Sequence, residues 1–403
     1  MRKLIFFLLL MLLLGIVTAR ALLPEPTQAV MADPHSYGYN ILDISLSLVP
    51  ETAGSAILAD MNGYFLFRTP TAKNEWTGAL RGKNLILICA DAWQTPAKPD
   101  RHTDPALCRL RSGGADISLV YRPDWYQGMA GREFALLTGL VPTKVNGAAS
   151  LLWTAEQDIY LPYTPARCLA QEGYTGFAYI TDPTHTAAYE AMGFQNVFVT
   201  ETAALETLEA TLPTLLDRDR FFAFYLWPDA DGAEALAYLL ETLREARMLD
   251  ATAICLLTAD ADGQRAQLYL YNSAVADAAS DKPCSELDIT PTLLNLFGVE
   301  YDSRFLSGRD VFAENDVPGR VRAVTPLVSL YGSAYSDWVT DAGSYNAAGS
   351  IFRQTRDCFA DSSEITAYVR DVSQLVYDRY TYARKVMENN YFAVVFGAEA
   401  QLQ

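Results

Sequence analysis

Histidine is scarce: the 403 residues contain three, His35, His102 and His185. That excludes His-rich metal sites and chemistry that needs several imidazoles. Positive charge is also short, with 31 Lys and Arg against 48 Asp and Glu, a net charge of −17. The basic residues are scattered, so no patch offsets the repulsion of a phosphate backbone, and nucleic acid is excluded as a partner. No C-x-x-C occurs, which argues against a zinc ribbon or a thioredoxin-like site. There are no internal repeats and no low-complexity tract. Apolar residues, by contrast, make up 50% of the chain. That is enough for a large core and rules out wholesale disorder.

The chain opens with Met1-Arg2-Lys3 and then runs from Leu4 to Ala19 without a charge. A short positive segment before an apolar run, with Ala19-Arg20-Ala21 as an A-x-A pattern, reads as a cleaved signal peptide or a short signal anchor. Both readings put the remainder outside the cytoplasm, secreted or anchored by this one segment. No Cys follows the run, so a lipoprotein anchor is not supported. The six cysteines are Cys89, Cys108, Cys168, Cys255, Cys284 and Cys358. An even count in an exported chain permits disulfides. Cys89 and Cys255 lie in strongly apolar runs and read as buried thiols.

Continuous apolar runs at Leu85–Ala90, Phe177–Ile180, Phe221–Trp227 and Ala253–Leu257 read as strands buried on both faces. Helical patterns lie between them. Within 233–248, Leu236, Leu239, Leu240 and Leu243 share one face, and Glu234, Glu241 and Glu245 fall opposite. Alternating strands and helices imply a doubly wound, mostly parallel α/β domain. Thr290-Pro291 signals the start of a short helix that Gly298 stops. Val369, Val372, Val376, Tyr380, Ala383 and Met387 recur at helical spacing and predict a helix on a small α+β C-terminal subdomain. The expected organisation is therefore a signal segment over 1–23, a linker or extension over 24–82, an α/β domain over 83–315 and a C-terminal subdomain over 316–403.

Sites in open α/β sheets form at the carboxyl ends of strands. Two of the expected strands end in acids, Asp91 and Asp260, and two carboxylates on one edge make a candidate site for a divalent cation. Asp229-Ala230-Asp231-Gly232 and Asp260-Ala261-Asp262-Gly263 share part of a calcium-loop pattern. Neither has the third acid or the distal Glu of that loop, so both read as turns.

Several segments carry a resemblance. Asn84 to Asp91 resembles the opening strand of lipoteichoic acid synthase-like sulfatases, members of the alkaline phosphatase superfamily. Thr103 to Leu110 resembles the segment that follows, and Trp125 to Gly128 with Glu133 to Pro142 resembles the nucleophile region. Leu287-Asp288-Ile289-Thr290-Pro291-Thr292-Leu293-Leu294-Asn295-Leu296-Phe297-Gly298 is the strongest match, followed by Asp302-Ser303-Arg304 and Gly308-Arg309-Asp310. Ser336 to Asp341 resembles a strand of the family's C-terminal subdomain. The resemblance spans roughly 80–390 and implies an alkaline phosphatase/sulfatase-like fold.

It also implies a reaction in which a Thr attacks a phosphodiester while a divalent metal neutralises the developing charge. The chain departs from that pattern. Where the resemblance implies Thr, it reads Gly128-Met129-Ala130-Gly131-Arg132-Glu133, so the nucleophile position falls on Ala130. Where it implies Asp-His, the chain reads Asp260-Ala261. A substrate-binding segment with a His between Trp227 and Ala233 is missing, and His185 lies near another substrate region without matching it closely. Asp91 and Asp260 are then vestigial metal positions, and the expected cofactor is none or a weakly bound Mn²⁺ or Mg²⁺. Two functions follow. The first is a catalytically degenerate cell-envelope protein that binds or scaffolds, with membrane or a cell-wall anionic polymer as the partner and protein partners unspecified. The alternative is an active, divergent phosphoglycerol transferase or phosphodiester/sulfate-ester hydrolase, using water or Thr258 as nucleophile and Asp262 as a surrogate ligand.

Overall fold

In the computed structural model the residues described are 38–42, 56–260, 265–313, 324–326 and 337–397. The Leu4–Ala19 run lies outside them, as do Ala261 and Asp262. Among the described residues no helix is long and apolar enough to cross a membrane.

The sheet that organises the unit 39–403 has eight strands: β1 (Asn84–Thr95), β2 (Gly114–Ile117), β5 (Thr175–Ile180), β6 (Asn196–Val199), β7 (Phe221–Leu226), β8 (Thr252–Asp260), β9 (Ala266–Tyr271) and β10 (Ala279–Ser280). Between β2 and β5 a two-stranded hairpin pairs β3 (Lys144–Val145) with β4 (Ala148–Ala149). The order across the large sheet is β10-β2-β9-β8-β1-β7-β5-β6, and β9 runs against the rest. The four apolar runs singled out in the sequence are β1, β5, β7 and β8, next to one another in the parallel block β8-β1-β7-β5. They are apolar on both faces because helices cover both faces. Leu85, Leu87 and Cys89 point into one core, and Ile86, Ile88 and Ala90 into the other. Cys89 and Cys255 are free, buried thiols, and burial pushes Cys255 up to about 12. The other four cysteines are unpaired as well.

The helices, in chain order, are α1 (Ala56–Leu66), α2 (Pro105–Ser112), α3 (Met129–Thr138), α4 (Ser150–Glu156), α5 (Pro165–Gln171), α6 (Thr186–Ala191), α7 (Ala204–Leu216), α8 (Ala233–Glu245), α9 (Ile289–Phe297), α10 (Ser362–Asn389) and α11 (Tyr391–Phe396). The helix expected at 233–248 is α8, with all four of its leucines buried. The helix expected to open at Thr290-Pro291 is α9, but Thr290 does not cap it. Its buried hydroxyl donates to Leu136 O at 2.7 Å, tying α9 to α3. A capping box lies one turn earlier, at the start of the 3-10 turn Glu286–Asp288 that leads into α9, where the Asp288 carboxylate accepts from Ser285 N at 2.9 Å.

The strongest sequence match turns out to be scaffolding. Asp302 binds Arg304 through both carboxylate oxygens, and Asp310 accepts from Asn295 Nδ2 at 2.9 Å and Asn74 Nδ2 at 2.6 Å. Gly308 lies so close to Leu287 that a Cβ there would sit 1.8 Å from its carbonyl oxygen, so no other residue fits.

The C-terminal part is a four-stranded antiparallel sheet of β11 (Val324–Pro326), β12 (Trp338–Thr340), β13 (Gly343–Asn346) and β14 (Ile351–Gln354). The segment expected as a subdomain strand contains β12. The predicted terminal helix is α10, whose Val372, Val376, Tyr380 and Ala383 share a core with Trp338, Trp125 and Ala135. The small sheet and α10 are therefore packed against α3, the helix that carries Ala130.

Candidate functional site at the strand ends

The site is built at a bulge in the carboxyl-terminal part of β1, which runs on past Asp91, where the sequence reading ends the strand, to Thr95. Burial is complete from Leu85 to Ala90 and then relaxes at Asp91. There the ladder with β8 slips: Ala90 pairs with Thr258, but the next partner of Ala259 is Gln94. The bulge turns Asp91 out of the ladder. Asp260 pairs instead with Thr95, four residues further along β1.

Helix α3 supplies the next groups. Its first turn contains Met129, Ala130 and Gly131, and Ala130 is buried without a hydroxyl. Gly131 is dictated by space, since a Cβ would lie 2.3 Å from Tyr126 O and 2.8 Å from Trp125 Cβ. That close approach fixes where Arg132 and Glu133 project. Both are buried, at 6% and 1% exposure.

Arg132 takes the position beside Asp91. Its Nη1 lies 2.8 Å from Asp91 Oδ1, its Nε donates to Glu286 Oε1 at 2.7 Å, and its Nη2 donates to Pro123 O at 3.3 Å. A second guanidinium, Arg122, donates to the same carboxylate, from Nε to Oδ1 at 3.1 Å and from Nη2 to Oδ2 at 2.6 Å. Both oxygens of Asp91 are thus engaged by cationic side chains. Burial would discharge Arg132, but Glu286 and Asp91 outweigh it, and the net effect raises its pKa. Glu286, with no exposed surface, comes from the 3-10 turn that leads into α9.

Glu133 anchors a neighbouring network. Its Oε2 accepts from Tyr189 Oη at 2.7 Å and faces His185 Nδ1 at 3.1 Å. The hydrogen bond to Glu133 is the main reason that the His185 pKa stands above the ordinary 6.5. Asp182, at 3.8 Å from His185 Nε2, is half exposed and adds little.

The structure joins Asp91 and Ala130 at one strand end through α3, but the partners of Asp91 are arginines rather than ligands of a metal. A divalent cation there would have to displace two guanidiniums. Among the described residues no three His, Cys, Asp or Glu side chains converge in a way that would hold a metal ion. The residues present at Asp91 do not fit one. Thr258, weighed as a substitute nucleophile, is 1% exposed, and its hydroxyl is paired with that of Thr95 at 2.6 Å. Asp231 accepts from Ala233 N at 2.9 Å at the start of α8, and Asp229 accepts from Ala204 N at 2.7 Å, so both acids of 229–232 serve backbone amides.

Sequence reasoning picks out Asp91 and misses Arg122, Arg132, Glu133 and Glu286. A signal for two of them was present. Arg132-Glu133 is a charged pair at the head of an otherwise apolar helix, and buried charges of this kind come paired.

No protein-family model matches the chain, and no curated protein matches it. Solved structures do. The lipoteichoic acid synthase LtaP from Listeria monocytogenes superposes with a TM-score of 0.60 at 13% identity, over 83% of this chain and 98% of that one. The 2-O GAG sulfatase BT1596 gives 0.52 at 10% identity, over 77% and 94%. BT4656, solved in complex with its substrate D-glucosamine-2-N,6-O-disulfate, gives 0.51 at 12% identity, over 75% and 98%. The chain has a sulfatase/alkaline phosphatase-like fold. Its mostly parallel eight-stranded sheet with a small antiparallel C-terminal sheet is similar in fold to these neighbours.

Proposed function

We propose that this chain is an extracytoplasmic, cell-envelope protein that keeps the lipoteichoic acid synthase and sulfatase fold as a binding or scaffolding unit and has lost the transfer chemistry. The observation that carries this reading is the double guanidinium clasp on Asp91, beside a helix start that presents Ala130 where a nucleophile hydroxyl is needed. With no hydroxyl to attack and both carboxylate oxygens neutralised by fixed cations, the strand end has neither a nucleophile nor a free metal ligand at Asp91. The location rests on Arg2-Lys3 and the Leu4–Ala19 run, and it makes the membrane or an anionic wall polymer the natural surroundings. A binding role avoids the need for a tight divalent cofactor.

The test is a turnover assay of purified protein from about residue 25 onward, with chromogenic phosphodiester and sulfate-ester substrates and Mn²⁺. Background rates are expected, and Ala130→Thr alone should not raise them, because Ala261 still stands where a metal-ligating His is needed. A wild-type rate well above background that disappears in Asp260→Ala would establish the active, divergent enzyme instead. A reporter active only in the cytoplasm, fused after Gln403, should be silent; strong signal would overturn the location.

A further inference from the structure

We propose that Arg132 and Arg122 are built-in counter-cations that stand in for a divalent ion at the end of β1, making assembly of this strand end independent of metal. Two observations lead here. The first is the charge balance: Asp91 and Glu286 bring two negative charges, and the two guanidiniums bring two positive charges, the charge of one divalent ion. The second is the geometry. Arg132 spans the two acids, with Asp91 on Nη1 and Glu286 on Nε, nitrogens bonded to the same carbon. It therefore holds carboxylates from two distant parts of the chain as a bridging ion would. Glu286 has no exposed surface and its Oε2 has no hydrogen-bond partner, so Arg132 is its main compensation. A buried carboxylate without a cation is strongly destabilising.

The substitution has chemical consequences. A guanidinium binds carboxylates through planar N–H donors at roughly 2.7–2.9 Å and stays charged over the whole working pH range. A divalent ion binds oxygens at roughly 2.0–2.6 Å, can exchange, and can leave a position open for substrate. Arg132 is covalently attached, cannot be chelated and has its three nitrogens occupied by Asp91, Glu286 and Pro123. The clasp is therefore permanent and closed. This role stands whether or not the chain turns over a substrate, because it concerns what holds the strand end together.

The prediction is that removing Arg132 creates the metal dependence that the wild type lacks. Thermal unfolding of the full-length chain is measured in EDTA and in about 1 mM MnCl₂ at constant ionic strength. The wild type should shift by less than about 1 °C. Arg132→Ala should melt several degrees lower in EDTA and regain about 3 °C in Mn²⁺, the shift expected for a site with a Kd near 10 μM in a unit of this size. Adding Asp91→Asn to Arg132→Ala should abolish the regain. If Arg132→Ala does not fold in EDTA, it is refolded with Mn²⁺; recovery supports the proposal, and failure in both conditions overturns it. An Arg132→Ala protein indifferent to Mn²⁺ overturns it too. So does a wild-type shift above about 3 °C that vanishes in Asp91→Asn, which would show that a metal already sits where the guanidiniums are placed. A turnover failure would leave all these readings unchanged, so the two proposals fail separately.

Discussion

Glu133 offers the sharpest energetic test of the strand-end network. It is 1% exposed, and one carboxylate oxygen serves both Tyr189 Oη and His185 Nδ1. Glu133→Ala leaves a buried phenol and a buried imidazole without their acceptor. Each hydrogen bond to a charged group contributes about 1.5–3 kcal/mol, and the removed carboxylate's own desolvation offsets part of that, so the loss should be about 3–5 kcal/mol. For a unit of this size that is a fall in Tm of roughly 4–7 °C. Glu133→Gln keeps an oxygen acceptor and loses the charge, so its loss should be smaller, about 1–2 kcal/mol. The pH dependence separates charge from packing. His185 has a folded-state pKa raised above 6.5, chiefly by its hydrogen bond to Glu133. Its contribution is therefore full below the unfolded pKa and is lost as pH rises through the folded one. The gap between wild type and Glu133→Gln should be widest near pH 6 and should narrow toward pH 9, read by urea unfolding at each pH. A gap that is constant across that range, or a Glu133→Ala protein within 1 kcal/mol of wild type, would refute the ion-paired reading of Glu133 and His185.

Further outcomes follow from the same packing. Gly131→Ala pushes a methyl onto Tyr126 O and should cost about 3 kcal/mol or more, displacing Arg132 as well; circular-dichroism melting checks it, and an unchanged Tm would show that the start of α3 is loose. Thr258→Ala breaks a buried hydroxyl pair with Thr95 and should lower stability by about 1 kcal/mol without altering any ligand binding, measured by chemical denaturation alongside binding. Asp302→Asn removes the charge that holds the buried Arg304 and should cost about 3 kcal/mol in the same assay; a loss below 1 kcal/mol would mean that Arg304 finds another partner.

The sheet was legible because its central strands are buried on both faces and read as uninterrupted apolar runs. Strand β9, which runs antiparallel at one side of the parallel block, left no comparable mark, and neither did the short β2 and β6. The motif at 287–310 was legible through its resemblance to a family, and the structure gives the physical reason for its residues: Gly308, Asn295, Asp302 and Asp310 each satisfy a contact that few other residues can make. The site was legible only by what it lacks. Ala130 and Ala261 stand where the resemblance implies a hydroxyl and an imidazole, but nothing in local spacing tells which cation meets Asp91. Arg122 is 31 residues away from it and Glu286 is 154 away from Arg132. Such partners are set by tertiary packing, and periodicity carries no information about them.

The central claim, that guanidiniums rather than a metal hold Asp91, is tested most directly by crystals soaked in MnCl₂ and measured at the manganese absorption edge. The account predicts Arg132 and Arg122 in contact with both oxygens of Asp91 and no anomalous peak within bonding distance of that carboxylate. A strong peak bonded to Asp91, with Arg132 swung away from it, would contradict the account.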